Sequence, residues 1–260
     1  MKANYHTHIY KCKHASGTVE ENVIEAINHG FVEIGISDHM PKDVYKDNLY
    51  SMEGYELEEY IKEIDEAKQK YKNKIEVLKG MECEYTKDLI PILHKLKYDY
   101  KFDYLILGHH FALDENNEFR YFHDSNSSED FILYKNTVIQ ALKSGYFNYL
   151  AHPDYFLFSY RGKWTKELDV ISREIIETCI NENIVIELNA NGFRRGSIET
   201  EDGLRYPYPR KEFWDIVSEY KDAKVIIGSD NHNKSQLNDF ANEKAINMAT
   251  ELKLNLLLKI

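Results

Sequence analysis

The chain has 260 residues, of which 43% are hydrophobic and 30% charged, a composition that excludes a disordered chain and allows one large domain with a sizeable core. Its 44 acidic and 33 basic residues give a net charge of −11, which repels polyanions and therefore disfavours broad nucleic-acid binding. The N-terminal segment has no apolar signal core and the apolar stretches are too short to span a bilayer, so no membrane partner is expected.

The three cysteines are widely spaced along the chain. Cys12, Cys83 and Cys179 form neither a disulfide framework nor a CxxC site. Unpaired cysteines of this kind are typical of a reducing compartment. Together with the missing signal core, they predict a cytoplasmic protein.

Strand-like and helix-like segments alternate along the chain. Short β-branched or aliphatic runs predict seven strands, at 3–8, 32–37, 75–80, 103–108, 147–151, 184–188 and 224–228. Apolar residues at helical spacing predict helices at 20–29, 55–71, 89–97, 128–144, 166–181, 211–220 and 238–253. Thr18 and Glu21 predict a capping box, and Gly30, Gly145 and Asn183 stand where helices should end.

Strict alternation of strand and helix predicts an α/β fold with parallel strands and right-handed crossovers. No composition shift or Gly/Ser/Pro-rich linker divides the chain, so residues 1–260 are expected to form a single domain. Seven such units favour a closed or nearly closed barrel, although an open doubly wound sheet would show the same alternation.

Histidines and acidic residues collect at the carboxyl ends of the predicted strands, which share one face in a parallel α/β fold. Seven of the 11 histidines lie there: His6, His8, His39, His109, His110, His152 and His232. His14 follows in the first loop, and the nearby carboxylates are Asp38, Glu82, Glu84 and Asp230. His6 and His8 point to the same side of their strand, because side chains alternate with period two.

Imidazole nitrogens together with carboxylates suit Zn, Fe or Mn. If so many of these groups stood on one rim without a common ligand, many polar atoms would need separate hydrogen-bond partners. The pattern therefore favours a ligand that the groups share. About nine candidate ligands are too many for one ion, so the sequence predicts a dinuclear or trinuclear site for hydrolytic chemistry.

Six short motifs carry a resemblance to a known family. They are NYHTH with His14, SDH at 37–39, GME at 80–82, GHHF at 108–111, HPD at 152–154 and GSDNH at 228–232. In this order, over residues 4 to 232, they resemble the motifs of the polymerase and histidinol phosphatase (PHP) superfamily, and among its members the monofunctional histidinol-phosphate phosphatases. The resemblance implies a distorted seven-stranded β/α barrel with three divalent metal ions at the strand carboxyl ends. It also implies hydrolysis of a small phosphate ester, L-histidinol phosphate, to L-histidinol and phosphate in histidine biosynthesis.

The resemblance also implies a ligand set for each ion. One ion is held by His6, His8, Glu82 and Asp230; a second by Glu82, His110 and His152; and a third by His14, His39 and His232. Two alternatives stay open, because His109 could replace His110 if the register slips and Glu84 competes with Glu82. The expected nucleophile is a hydroxide that bridges two ions and attacks phosphorus in line.

Residues beyond the ligand set are candidates for substrate binding and proton transfer. Arg161, Arg194 and Arg195 follow the fifth and sixth predicted strands, where a guanidinium could pair with phosphate, and His109 is a further candidate for substrate contact. Asp38 and Asp154 are candidates for a proton donor or, as we favour, for partners of a metal-bound histidine.

The remaining polar residues near these motifs are predicted to be structural. Asn189 and Asn191 are expected to shape a turn more than to orient substrate. His29, His94 and His123 are expected at the surface or in structural contacts, with His123 the most plausible exception because it follows the fourth predicted strand.

Three other functions compete with this prediction. The same metals could serve a PHP-type phosphoesterase that acts on nucleotides or nucleic acid, which the acidic charge disfavours for long polymers. An amidohydrolase also begins with HxH, but the SDH motif and Glu82 favour phosphoester chemistry. The third is a metal-binding protein without activity. The sequence leaves the oligomeric state open.

Overall fold

The computed structural model of the protein describes residues 1–41 and 50–260. In these ranges the strands are β1 (Ala3–Asn4), β2 (Glu33–Ile36), β3 (Glu76–Cys83), β4 (Tyr104–Leu107), β5 (Phe111–Leu113), β6 (Phe119–Tyr121), β7 (Tyr149–Leu150), β8 (Val185–Asn189), β9 (Ile198–Thr200), β10 (Gly203–Arg205) and β11 (Val225–Gly228). The α-helices are α1 (Val19–Asn28), α2 (Leu57–Tyr71), α3 (Ile90–His94), α4 (Ser128–Lys143), α5 (Lys166–Asn181), α6 (Asn191–Arg194), α7 (Lys211–Glu219) and α8 (Phe240–Glu251).

Seven strands form one parallel sheet in the order β1-β2-β3-β4-β7-β8-β11. Each of the seven predicted strands has its counterpart in this sheet, and the predicted α/β class is confirmed. The sheet curls into a nearly closed barrel, since the first and last strands approach each other, and the open doubly wound alternative is therefore wrong.

The seam between β1 and β11 is closed largely by a side chain. Backbone pairing across it is a parallel bridge between Thr7 and Asn231, with a bond of 3.0 Å from the His8 N–H to the Asn231 carbonyl oxygen. Deeper in the seam the buried Asn4 amide replaces the missing ladder, because its Oδ1 accepts from the Ser229 N–H at 2.8 Å and its Nδ2 donates to Thr7 Oγ1 at 2.7 Å. Every group that this polar side chain brings into the core is thereby paired.

The barrel interior below the carboxyl-end rim is filled by aromatic side chains. Tyr104 crosses it and donates from its hydroxyl to the Tyr5 carbonyl oxygen at 2.6 Å. Gly35 and Gly80 make room for this ring, because a Cβ at either position would lie 2.2 Å or less from an atom of Tyr104. The filled interior leaves the carboxyl-end face as the place for a site.

The predicted helix boundaries agree with the structure. Thr18 accepts from the Glu21 N–H and Glu21 accepts from the Thr18 N–H, which completes the capping box. Gly30, Gly145 and Asn183 adopt φ values of 69°, 75° and 57°, the left-handed conformation in which helices commonly end.

Two hairpins were not predicted. β5 pairs with β6 and β9 pairs with β10, both antiparallel, in the loops that follow β4 and β8. Each of these strands has three residues, too few to show an alternating pattern. No helix in the two described ranges is long and apolar enough to cross a membrane.

Candidate metal centre

A cavity of about 500 Å³ opens at the carboxyl-end face of the barrel. Its floor is formed by the imidazoles and carboxylates at the strand ends, namely His8, His14, His39, Glu82, Glu84, His110, His152, Asp230 and His232. His6 lies directly beneath them, with its Nε2 atom 3.1 Å from that of His8. The structure therefore brings together all nine side chains expected to bind metal, although they are spread over residues 6 to 232.

Glu82 lies at the centre of this floor and is 2% exposed. Its two carboxylate oxygens face five imidazoles, at 3.0 Å from His39, 3.4 Å from His6, 3.4 Å from His8, 3.1 Å from His152 and 3.7 Å from His110. Gly108 makes this placement possible, because a Cβ there would lie 2.6 Å from Glu82 Oε1. A carboxylate shared by so many nitrogens is placed as a bridging ligand would be.

The imidazoles of His6 and His8 are held from behind by carboxylates. His6 Nδ1 lies 2.8 Å from Glu187 Oε1, and His8 Nδ1 lies 3.2 Å from Asp38 Oδ1. Since a carboxylate accepts only, each Nδ1 carries the proton and each Nε2 presents a lone pair. The two Nε2 atoms face each other and the oxygens of Glu82 and Asp230, so in the neutral form of both rings four acceptors would converge there.

The same arrangement recurs between His14 and His232. His14 Nδ1 donates to the Cys12 carbonyl oxygen at 2.9 Å, and His232 Nδ1 lies 3.3 Å from the Asp230 carbonyl oxygen. Their Nε2 atoms, left as acceptors, are only 2.8 Å apart. A cation between such facing lone pairs would satisfy both at once.

The pKa values show how strongly the cluster demands positive charge. Burial opposes protonation of His6, but Glu187, Asp230 and Glu82 raise its pKa well above the ordinary value. Burial likewise opposes ionisation of Glu82 and Asp230, yet the neighbouring histidines hold both carboxyl pKa values well below the usual range.

The outer histidines shift in the opposite direction. Burial and the neighbouring imidazole of His39 lower the pKa of His14 to about 4, and burial with the proximity of His8 lowers the pKa of His232 to about 2. The cluster therefore cannot be neutralised by protonating every ring. Divalent cations would supply the charge without that conflict, and buried Glu82 Oε2, which has no hydrogen-bond partner, would offer one of them a ligand.

Sets of donors suited to a metal ion recur across the floor. The groups whose ligand atoms lie within 4.8 Å of one another are His6–His8–Glu82, His8–His39–His232, His39–Glu82–His110 and His8–Cys12–Asp38. In the last group Asp38 faces the back of the His8 ring and accepts from the Cys12 N–H at 3.1 Å. That group is better described as support for His8, and the nitrogen and oxygen donors of the other three fit Zn, Mn or Fe.

The two alternatives left open by the sequence differ clearly in geometry. Glu84 accepts from His110 through both its N–H, at 2.8 Å, and its Nδ1, at 2.6 Å, so it stands behind His110 as Asp38 stands behind His8. His109 is fully buried, and its Nε2 donates to Thr137 Oγ1 at 2.7 Å. This placement is outside the cavity lining and argues against both a metal-binding and a substrate-binding role for His109.

The three candidate arginines have different surroundings. Arg195 lines the cavity at its rim. Arg194 instead turns away, pairing with Asp239 at 2.8 Å and donating to the carbonyl oxygens of Ser229 and Gln236. Arg161 lies in a separate surface groove and donates to the Phe158 carbonyl oxygen at 3.0 Å. The geometry favours substrate contact for Arg195 alone among the three.

The two candidate acids also face different ways. Asp38 supports His8, as expected for a partner of a histidine ligand. Asp154 is buried outside the cavity, where its Oδ2 accepts from the Arg210 N–H and from Trp214 Nε1. Burial raises its pKa to about 6, but its distance from the cavity argues against a role as proton donor.

Asn189 and Asn191 do more than shape the predicted turn. The Asn191 N–H donates to Asn189 Oδ1 at 2.8 Å, and both side-chain amides donate to Asp230 Oδ2 at 3.1 Å. His123, the expected exception among the remaining histidines, lines the cavity, whereas exposed His29 pairs with Glu25 on α1. His94 lies against the ring of Tyr98 on the outer surface.

Sequence reasoning missed Glu187 and the aromatic wall of the cavity. Glu187 stands in the apolar strand β8 and accepts from Tyr149 at 2.7 Å and from the His152 N–H at 2.9 Å, besides its contact with His6. The feature of the sequence that could have identified Glu187 is a single carboxylate inside an apolar strand. Tyr155, Phe158 and Tyr208 form the wall, and their motifs carried no chemistry that would single them out.

Comparisons with known proteins agree with this geometry. The sequence matches the PHP domain family over residues 4–191. It is 24% identical over 241 residues to a Deinococcus radiodurans protein named "Probable histidinol-phosphatase", covering 89% of this chain and 86% of that one. It is 23% identical over 254 residues to the Bacillus subtilis "Histidinol-phosphatase", covering 89% and 94% respectively.

A solved structure shares the fold. It is the histidinol phosphate phosphatase from Lactococcus lactis in complex with zinc, L-histidinol and phosphate, with a TM-score of 0.72 at 21% identity, covering 98% of this chain and 95% of that one. At this identity the likeness shows the seven-stranded barrel.

Proposed function

The chain belongs to the PHP domain family, and from this premise we propose that it is a phosphatase that hydrolyses L-histidinol phosphate to L-histidinol and phosphate. The observation that carries the proposal is two pairs of facing imidazoles, His6 with His8 beside Glu82 and His14 with His232. The substrate follows from the names of the relatives that match nearly nine-tenths of the chain.

We propose that three divalent ions, of Zn, Mn or Fe, bind at the cavity floor. Their ligands are His6, His8, Glu82 and Asp230 for the first, Glu82, His110 and His152 for the second, and His14, His39 and His232 for the third. Ions held by these residues would supply Lewis-acid chemistry, lowering the pKa of a water molecule and offsetting the charge of the phosphoryl oxygens.

The protein's own residues have two further tasks in this reaction. Asp38, Glu84 and Glu187 each fix the proton of a histidine on Nδ1, which keeps its Nε2 free as a ligand. Arg195 at the rim is assigned to the phosphate, because a guanidinium can pair with two phosphate oxygens at once. The cavity of about 500 Å³ suits a small phosphate ester better than a polymer.

We further propose that residues 1–260 form a single PHP domain working in the cytoplasm. The family match ends at residue 191, but β11 completes the same barrel, and Asp230 and His232 complete the same cavity floor. The three cysteines are free buried thiols, which favours a reducing compartment.

Phosphate release tests the substrate assignment. Protein stripped with a chelator and reloaded with Zn, Mn or Fe is assayed on L-histidinol phosphate, a nucleoside monophosphate and an aryl phosphate. We expect kcat/KM for L-histidinol phosphate to exceed the others by at least about tenfold, roughly 1.4 kcal/mol in transition-state binding. A preference for the nucleotide would favour the alternative PHP phosphoesterase. Full metal binding without phosphate release from any substrate would contradict the proposed activity.

A further inference from the structure

An acidic face of α2 contacts the turn that precedes His14. Glu59 and Glu63 lie one helical turn apart on this face, and Glu56 precedes them in the turn that leads into α2. The partner is a single 3₁₀ turn over Tyr10–Cys12, which leads directly into Lys13 and His14.

The centre of this contact is a buried ammonium group. The Lys11 side chain is 1% exposed, and its Nζ lies 2.7 Å from Glu59 Oε2 and 3.5 Å from Glu63 Oε1. Tyr10 adds a hydrogen bond of 2.9 Å to Glu63, and Lys13 pairs with Glu56 at 2.6 Å. A buried lysine without its carboxylates would be an uncompensated charge, so the turn and the helix hold each other firmly.

The helix is itself fixed to the barrel and can therefore act as a support. Tyr60 of α2 donates from its hydroxyl to the Gly80 carbonyl oxygen at 2.8 Å and accepts from the Asp38 N–H at 3.1 Å. Asp38 lies just beyond the carboxyl end of β2, and Gly80 lies within β3, two residues before Glu82.

The far side of the turn determines where the His14 ring lies. The Cys12 carbonyl oxygen accepts from His14 Nδ1 at 2.9 Å, and the Cys12 N–H donates to Asp38 Oδ2 at 3.1 Å. Lys13 between them has a φ of 68°, a left-handed conformation that a lysine adopts only when its surroundings impose it. Any shift of the turn therefore moves His14 relative to His232.

We infer that Lys11, Glu59 and Glu63 are positioning residues that set the affinity of the ion assigned to His14, His39 and His232. The inference rests on the proposed function, because it takes the third ion from there. The ligands of the other two ions stand on or just beyond barrel strands, and among them only His8, which Asp38 supports, is linked to this turn. Loss of the Lys11 charge should therefore release one ion and leave two.

Metal content distinguishes this role from general stabilisation. Wild type, Lys11→Met, Lys11→Arg and His14→Ala are dialysed against the same zinc buffer, and zinc per chain is measured by mass spectrometry. We expect three ions in the wild type, two in Lys11→Met and His14→Ala, and a return towards three in Lys11→Arg. The affinity of the lost ion should fall by at least about tenfold.

A matched variant controls for the loss of a lysine–glutamate pair elsewhere. Lys135 on α4 pairs with Glu174 at 2.8 Å, remote from the cavity, so Lys135→Met should keep all three ions. If Lys11→Met does not fold, Glu59→Gln and Glu63→Gln replace it, since Glu59 is 62% exposed and tolerates the change.

Two results would overturn the inference. If folded Lys11→Met binds three ions with wild-type affinity, the turn does not set the affinity of the third ion, and the proposed function is unaffected. Equal zinc content in His14→Ala and wild type would instead show that His14 does not hold a third ion. That result would contradict both this inference and the third-ion part of the proposed function.

Discussion

At the scale of single residues, the metal centre depends on which nitrogen of each imidazole carries the proton. Glu187, Asp38 and Glu84 each face an Nδ1 atom, and a backbone carbonyl does the same for His14. The adjacent residues His109 and His110 show how much the surroundings matter, because one ring enters the cavity and its neighbour enters the core.

The histidine pair gives the first prediction. His110→Ala should lower kcat by about 10³-fold and reduce bound metal, because its Nε2 faces Glu82 in the cavity. His109→Ala should keep the metal but lower the free energy of unfolding by about 2 kcal/mol, since it removes a buried ring and its bond to Thr137. Kinetics, metal analysis and denaturant titration check both variants. If His109→Ala lost metal and activity while His110→Ala lost only stability, the two assignments would have to be exchanged.

Two adjacent arginines give a second matched comparison. Arg195→Ala should raise KM for the phosphate ester about tenfold or more with little change in stability, because its guanidinium lines the rim. Arg194→Ala should cost about 3 kcal/mol of stability and leave KM unchanged, because it breaks a largely buried pair with Asp239. Steady-state kinetics with thermal unfolding distinguishes them. An unchanged KM in Arg195→Ala would exclude its phosphate contact.

At the scale of secondary-structure elements, the strand ends must leave room for the carboxylates in and beneath the cavity floor. Gly108 follows β4 and Gly228 ends β11, and a Cβ at these positions would lie 2.6 Å from Glu82 Oε1 and 1.5 Å from Glu187 Oε1. These glycines are needed for space, since neither has a positive φ in the structure.

Gly108→Ala tests this requirement. The added methyl should displace the Glu82 carboxylate, weaken metal binding by about tenfold or more and lower kcat, with a modest loss of stability. Zinc titration with a competing chelator measures the affinity. Gly145→Ala is the control, because a Cβ there meets no atom within 4 Å and its strain comes only from the positive φ. Normal zinc affinity in Gly108→Ala would refute the steric argument.

Long elements were predictable from sequence, and the short ones were not. The seven barrel strands and the long helices show their period over several residues, and Thr18 and Gly30 mark the ends of α1. The β5–β6 and β9–β10 hairpins have only three residues per strand, and the wholly exposed β6 lacks a buried face that would require apolar residues.

The candidate site divides in the same way. Residues with distinctive chemistry at strand ends, such as His6 and Asp230, could be located because parallel strands bring their carboxyl ends to one face. Which way a loop residue turns could not be predicted, as Arg194 and Asp154 show, because partners far along the chain decide it. Asp239 holds Arg194, and Trp214 holds Asp154.

At the scale of the whole molecule, the ions and the fold should stabilise each other. Without cations, facing lone pairs and buried carboxylates oppose folding, and a ligand that binds only the native state adds about 2.7 kcal/mol at a hundredfold its dissociation constant. Removal of bound metal should therefore lower Tm by about 10 °C or more. Calorimetry with chelator, and with chelator plus excess zinc, checks this. An unchanged Tm would mean that the ions contribute nothing to native stability.

The seam closed by Asn4 has a consequence for how the protein is made. His6 and His8 leave the ribosome long before Asp230 and His232, which follow the last barrel strand. A nascent chain thus carries an incomplete cluster until β11 has been synthesised, and it acquires Asp230 and His232 when β11 docks against β1. Chains that terminate before β11 lack these ligands. Cells that accumulate such chains should therefore contain more of the protein without a matching increase in phosphatase activity.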